Sequence, residues 1–226
     1  MTAQGYEDAH LYNRAYFYDR SYGRDLARDA MYEQERARII KRSNFGNILD
    51  VGCGMGYFLE GMDDRFEKYG IEPSDYASQK AREKGINMLP NINMVDFDSM
   101  DTVVFRGTLQ HINTPIQDLS HAARILKRGG TLAIIATPDA DSLVYKIWGE
   151  LPPLDWPRNW IIFGHKELKN ILSRLGFVDI EILYPYWGGP YAHPVRDFWN
   201  FFVSLFFGYR KFAFPGNMIE IYCRKP

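Results

Sequence analysis

The chain has 226 residues, which suits one α/β domain with decorations better than two domains. A hydrophobic content of 46% supports a sizeable core, and a formal net charge of −1 excludes the broad cationic field expected of a nucleic-acid binder. The start has no signal-peptide core and no apolar run reaches membrane-spanning length. The two cysteines, Cys53 and Cys223, have neither metal-site spacing nor a disulfide framework, so a reduced, cytoplasmic setting without a bound metal is expected.

Residues 1–28 are rich in Tyr, Arg and Asp and show no clean period; they include Tyr12, Tyr16 and Tyr22. Residues 29–43 read as a helix, with Arg36, Arg38, Lys41 and Arg42 as a solvated face. Ile48-Leu49-Asp50-Val51 is an apolar run that ends in an acid and breaks into Gly52-Cys53-Gly54-Met55-Gly56-Tyr57. A helix-like segment with Leu59, Met62 and Phe66 on one face follows. Such a strand–turn–helix unit lets a ligand approach the backbone closely and offers free N–H groups. A second apolar run, Tyr69-Gly70-Ile71, ends at Glu72, twenty positions after Gly52. Ser74 is placed to cap the next helix and Gly85 to stop it. Residues 86–100 read as irregular.

Residues 101–105 read as a buried strand running into Arg106-Gly107-Thr108. Thr114 as N-cap and Pro115 at the first position open a helix, with Lys127 and Arg128 in its last turn and Gly129-Gly130 at its end. Residues 131–136 form another strand, and Leu168, Ile171, Leu172 and Leu175 mark a helix that stops at Gly176. Strand alternation follows at Val178, Ile180 and Ile182, and again at Ile219, Ile221 and Cys223. Strands alternating with helices imply a doubly wound, mostly parallel sheet with helices on both faces. Residues 187–216, rich in Gly, Pro and aromatics, are too long for an ordinary connection. Within them Phe198–Phe207 is apolar on nearly every face. That segment is read as a buried substrate cap, with a dimer contact or a membrane-surface helix as alternatives.

The glycine spacing chooses among nucleoside ligands. The dinucleotide fingerprint is G-x-G-x-x-G, but here the spacing is G-x-G-x-G and Tyr57 holds the third glycine's place. Asp50 beside the turn suits an ammonium and would repel a pyrophosphate, which makes a nicotinamide oxidoreductase a distant alternative. Glu72 can accept both hydroxyls of a ribose.

Asp50-x-Gly52-x-Gly54-x-Gly56 followed by Glu72 resembles motif I and the ribose acid of class I S-adenosylmethionine (SAM) methyltransferases. Phe105 to Ile112 with Pro115 and Leu119, Arg124 to Leu132 running into Ala136-Thr137-Pro138, and Leu168 to Phe177 resemble further segments of the type 11 and type 23 methyltransferases. The matches run in order from about residue 46 to 226.

The resemblance implies a Rossmann-like seven-stranded sheet with the last strand antiparallel, in a single domain over 1–226. Within it, 1–45 would be an N-terminal arm and helix and 46–138 a SAM-binding core, with cap insertions at 139–163 and 187–216. It implies SAM as cofactor and transfer of its methyl group to a small molecule such as a sugar, a lipid-linked intermediate or a secondary metabolite. A non-catalytic SAM-binding module is the alternative. No nucleic-acid partner and no transmembrane segment are expected, and a homodimer is compatible with the chain.

The cofactor site would comprise Asp50, Gly52, Gly54, Glu72, Pro73 beside the adenine, Arg106 at the rim and Gly107 leaving room for the ligand. The families usually place an acid after strand 3 to hold the adenine amino group; here Asn91 stands nearest. Many type 23 relatives carry a histidine where this chain has Asn159, so no base is borrowed from there, and His165 is read as a helix cap. His111 is the candidate general base, against a purely supporting role. Tyr16 in the arm, with Trp187, Tyr191, His193 and Trp199 in the insert, would line an apolar acceptor pocket. The tyrosines of the arm are read either as a lid or as plain packing.

Overall fold

The computed structural model describes residues 14–19, 26–156, 158–209 and 211–226. The short α1 (Arg14–Asp19) and the 17-residue α2 (Leu26–Arg42) open it. The core then runs β1 (Gly46–Val51), α3 (Tyr57–Glu60), β2 (Phe66–Ile71), α4 (Asp75–Arg82), β3 (Asn87–Leu89), β4 (Met100–Arg106), α5 (Pro115–Ile125) and β5 (Leu126–Pro138). It closes with α6 (Leu143–Trp148), α7 (His165–Arg174), β6 (Val178–Leu183), α8 (Pro194–Phe207) and β7 (Met218–Arg224).

The seven strands form one sheet in the order β3-β2-β1-β4-β5-β7-β6. Pairing is parallel from β3 across to β5, while β7 runs antiparallel to both β5 and β6. This is the expected mixed, doubly wound sheet. Strand alternation divides its core. Leu49, Val51, Val103, Phe105 and Leu132 pack on one face with Leu119 of α5 and Leu168 of α7. Ile48, Val104, Ala133 and Ile135 pack on the other with Tyr32 and Ile39 of α2 and Phe58 of α3. Asp50 and Arg106 share the second face by the same alternation, so both end under α2.

Several local expectations shift. β3 is a real three-residue strand inside the stretch read as irregular, paired to β2 from Tyr69↔Asn87 to Ile71↔Leu89. Ser74 caps α4 by accepting the Ala77 N–H, and Gly85 takes the left-handed conformation (φ +79°) just beyond the helix. Thr114 precedes Pro115 at the start of α5, but its side chain accepts no capping hydrogen bond. That helix ends at Ile125, ahead of Lys127, because Leu126 already pairs with Met100 and the Lys127 ammonium reaches Asp101 at 2.7 Å. The cap of α7 is Gly164, not His165.

The basic face of α2 is also not simply solvated. Arg36 donates to the carbonyls of Tyr57 and Phe58, Arg38 grips buried Glu220 through two 2.7 Å bonds, and Arg42 pairs with Glu181. These cations tie α2 to α3 at one end and to β7 and β6 at the other. Among the described residues, no helix is long and apolar enough to cross a membrane.

The insertions at 139–163 and 187–216 pack on each other. Val144 of α6, Leu151, Leu154 and Phe212 form a small core with Trp148, Phe201 and Phe214 around it. Phe201 stacks on Phe214 at 4.6 Å between centroids and meets Trp148 edge-on at 5.5 Å.

Candidate active site at the carboxyl ends of the strands

In a parallel sheet the ligand crevice lies beyond the carboxyl ends of the strands, and here those ends bring together the turn after β1, Glu72 after β2 and the loop after β4. The N–H groups of Gly52 and Cys53 both donate to the carbonyl of Ile71, at 2.7 and 3.1 Å, so the glycine turn is sewn to the end of β2. Gly52 sits at φ +80°, and a Cβ there would meet Thr108 Cγ2 at 2.3 Å. The loop after β4 therefore crosses where a side chain would stand, which is why this position takes glycine.

Glu72 is fixed from two sides. Gly54 N–H donates to its Oε2 at 3.0 Å and Ser74 N–H to its Oε1 at 2.9 Å. Burial nevertheless raises its pKa to about 7, opposed by those two hydrogen bonds. Asp50 is buried, and its Oδ1 has no hydrogen-bond partner among the described residues. Burial raises its pKa to about 7 as well, with the Arg106 cation pulling it down and the Glu72 charge pushing it up. A buried carboxylate oxygen without a donor is costly unless a ligand supplies one. Asn91, between β3 and the following turn, likewise has a buried Oδ1 without a partner among the described residues. Pro73 lies half-buried between Glu72 and Ser74.

A ligand with an ammonium, a ribose diol and an exocyclic amine supplies donors for Asp50, Glu72 and Asn91 respectively. The residues present therefore fit SAM. Cys53 takes no part as a nucleophile: it is buried, and desolvation holds its thiol far above the ordinary range.

Arg106 does not stand at an open rim. Its Nε donates to Oε2 of buried Glu35 at 2.7 Å, and its guanidinium lies over the Tyr32 ring at 4.2 Å. The end of β4 is thus bolted to α2, and the Arg106 charge acts on Asp50 from inside the protein. Gly107 follows at φ +60°, and a Cβ there would meet only Ala136, at ordinary contact distance. Its glycine is required by backbone conformation rather than by crowding from the protein.

His111 is tied to the first insertion. Its Nδ1 lies 2.9 Å from the carbonyl of Arg158. A carbonyl only accepts, so Nδ1 carries the proton and Nε2 is the basic nitrogen of the neutral ring. Next to it, the side-chain amide of buried Gln110 donates to Gly107 O at 3.0 Å, and the Gln110 backbone carbonyl accepts the Trp160 N–H at 2.8 Å. From the other side, Phe17 of α1 is buried against Met55 of the glycine turn and Ala77 of α4. Tyr16 sits beside Phe17, and the Arg158 guanidinium lies 4.9 Å from the Tyr16 ring. Arg158 therefore links Tyr16 and His111, its guanidinium against the Tyr16 ring and its backbone carbonyl against His111. Tyr12 and Tyr22 lie outside the described residues.

The insert aromatics are arranged differently from a buried cap. Trp187 and Trp199 are each 67% exposed, and Tyr191 is 41% exposed. His193 and Trp199 border an open hollow with Pro194, Val195 and Arg196 rather than an enclosed cavity. The inward side of α8 is already occupied: Phe201 packs in the insertion core, and buried Asp197 accepts from Tyr186 Oη and His193 N–H.

Sequence reasoning missed Glu35 and Gln110. Glu35 had a signal, being an acid inside the buried stripe Tyr32, Glu35, Ile39 of α2. Gln110 had none beyond its place beside His111.

The sheet order, the glycine turn and the paired acids together define a class I SAM-dependent methyltransferase domain. The chain belongs to the Methyltransf_23 family, described as a methyltransferase domain, whose model matches residues 19–182. It is 29% identical over 153 residues to a tRNA U34 carboxymethyltransferase of Pseudoalteromonas translucida, a match covering 60% of this chain. The chain spans about half the length of the curated relatives of that kind that it matches. Its fold is similar to a SAM-dependent methyltransferase of Thermotoga maritima, with a TM-score of 0.67 at 21% identity, covering 94% of this chain and 96% of that one. It is also similar to the phosphoethanolamine N-methyltransferase 2 of Haemonchus contortus, crystallised with SAM, with a TM-score of 0.56 at 17% identity. That match covers 85% of this chain and 52% of the other.

Proposed function

We propose that the domain binds SAM across the turn after β1 and transfers its methyl group to a small-molecule acceptor. The observation that carries this reading is the Glu72 carboxylate, held by the Gly54 and Ser74 N–H groups, together with the Asp50 Oδ1, which has no partner among the described residues. Asp50 takes the ammonium of the methionine tail, and the backbone at Gly52 and Gly54 admits that tail closely. Glu72 accepts the ribose hydroxyls, Pro73 packs beside the adenine, and Asn91 Oδ1 accepts the adenine amino group. Bound SAM supplies an already activated methyl group, so the chain's task is to orient the acceptor and take up its proton. His111 Nε2 is assigned that proton, and the acceptor is placed between Tyr16, His111 and the Arg158 segment. Arg106 has no ligand role in this reading.

A small, uncharged or amphiphilic acceptor such as a sugar, a lipid-linked intermediate or a secondary metabolite accords with the net charge of −1. The tRNA modification named for the curated relatives favours RNA as a second reading. The experiment is transfer from methyl-labelled SAM to separated small-molecule, lipid and RNA fractions of a cell extract. Label in the small-molecule or lipid fraction supports the proposal, and label in RNA alone overturns it. SAM binding without transfer to any fraction would favour the non-catalytic module.

Acidity gives a further expectation. With Asp50 and Glu72 both raised to about 7, SAM must bind the ionised forms to find its acceptors. Affinity is expected to rise about tenfold between roughly pH 6 and pH 8 for each carboxylate that must ionise. The ligand-free protein moves the other way. Folded pKa values above the ordinary 3.8 and 4.5 contribute stability below those values that is lost as pH rises through about 7. Titration calorimetry at several pH values reads the first trend; an affinity that stays flat across that range contradicts it.

A further inference from the structure

Two segments meet beside His111, and the buried polar atoms at their junction are not all satisfied. The main-chain carbonyl of Gln110 accepts the Trp160 N–H at 2.8 Å, and that of Arg158 lies 2.9 Å from His111 Nδ1. Gln110 and Asn159 are buried, at 4% and 3% exposure. Gln110 Oε1, Arg158 Nε and Asn159 Nδ2 are each buried without a hydrogen-bond partner among the described residues.

The two amides cannot turn over to relieve this. Gln110 Nε2 donates to Gly107 O at 3.0 Å, and Asn159 Oδ1 accepts the Asp155 N–H at 2.6 Å. A flipped Gln110 would set its oxygen against the Gly107 carbonyl, and a flipped Asn159 would set its NH₂ against the Asp155 N–H. The Arg158 charge is already balanced, because Nη1 bonds the Asp155 carboxylate at 3.2 and 3.3 Å. What remains is a neutral set: donors on two side chains and one carbonyl oxygen. Such atoms are costly to bury unless a ligand supplies their partners.

The chemistry of that ligand follows from the set. A carboxylate or phosphate only accepts, and it would stand against Gln110 Oε1 and the Asp155 carboxylate. An ammonium only donates, which leaves both nitrogen donors unpaired. A hydroxyl, with two lone pairs and one O–H, complements the set. Gln110 and His111 are consecutive, and Arg158 holds His111 through its own carbonyl, so a hydroxyl bound here adjoins the one that His111 deprotonates.

We propose that Gln110, Arg158 and Asn159 form a hydroxyl subsite and that the methyl acceptor carries a vicinal diol. One hydroxyl of the pair accepts from Arg158 Nε and Asn159 Nδ2 and donates to Gln110 Oε1, while its neighbour faces His111. The neighbour's oxygen bonds to the methyl carbon as the carbon–sulfur bond of SAM breaks. The electron pair stays on sulfur, leaving S-adenosylhomocysteine, and the hydroxyl proton passes to His111 Nε2. This inference rests on the proposed transfer to a small-molecule acceptor with His111 as base.

Periodate tests it, since this oxidant cleaves the carbon–carbon bond of a vicinal diol and spares isolated hydroxyls. Small-molecule and lipid fractions of a cell extract, each divided into treated and untreated portions, are offered to the wild type with methyl-labelled SAM. Label is expected in an untreated portion and is expected to fall about tenfold or more after treatment, as for a site built around a hydroxyl. Asn159→Asp keeps the oxygen that Asp155 N–H needs but turns a donor into an acceptor. It should raise the amount of untreated fraction needed for half-maximal labelling about tenfold, with calorimetric SAM affinity kept. Circular dichroism checks its fold, and the periodate comparison needs only the wild type. Labelling that survives periodate overturns the proposal, as does an unchanged half-maximal amount in folded Asn159→Asp. No label from either untreated fraction would overturn the small-molecule reading itself, and this inference with it.

Discussion

Replacing His111 by alanine is expected to lower turnover by about 10²–10⁴-fold while SAM binding survives. The expectation follows from tautomer and place. The Arg158 carbonyl, 2.9 Å from Nδ1, holds the proton on that nitrogen and leaves Nε2 as the basic one. The loop carrying His111 follows β4 and crosses the glycine turn at Thr108, so the ring belongs to the rim where the methyl group would be presented. Single-turnover rates with saturating SAM, measured beside calorimetric SAM affinity, separate the two roles. A supporting role would instead show lost SAM affinity with little further loss of rate.

Glu35→Ala is expected to be the most destabilising single change at the site, at about 3–5 kcal/mol. The carboxylate is buried on α2 and receives Arg106 Nε at 2.7 Å. Removing it leaves the Arg106 cation in a low-dielectric setting with Asp50 and the Tyr32 ring as its neighbours. Glu35→Gln keeps an acceptor and should lose less. Urea unfolding, followed by circular dichroism, reads both. A loss under about 1 kcal/mol for the alanine variant would mean that Arg106 finds solvent or another partner, in the range of an exposed pair.

Much of this site was legible in the sequence because a few residues carry the backbone requirements directly. The turn after β1 needs glycine at Gly52 since Thr108 stands in the way of a Cβ, and the acid twenty positions on ends the neighbouring parallel strand. The seven-stranded sheet and its antiparallel last strand followed from the resemblance and the missing crossover before residue 216. Partnerships across the sheet were not legible. Nothing local says that Arg106 turns from the crevice to Glu35, or that Arg36 and Arg38 clasp α3 and β7. Each needs the tertiary placement of α2. The insert misled for a related reason: Phe198–Phe207 is apolar on nearly every face, so periodicity could not tell which face its neighbours would fill. Trp148, Phe212 and Phe214 fill the side of Phe201, and the opposite stripe is left outward.

The cofactor assignment rests on Glu72 more than on any other side chain, and a calorimetric titration of SAM into the wild type and Glu72→Ala tests it most directly. The wild type is expected to bind SAM in the micromolar range, about −8 kcal/mol, with no comparable affinity for NAD. Without the carboxylate, two ribose hydroxyls lose their acceptor in a partly buried site, and SAM affinity should fall by about 1–3 kcal/mol, roughly 5- to 150-fold. An unchanged SAM affinity in the folded Glu72→Ala protein, or NAD binding as tight as SAM, would contradict the assignment.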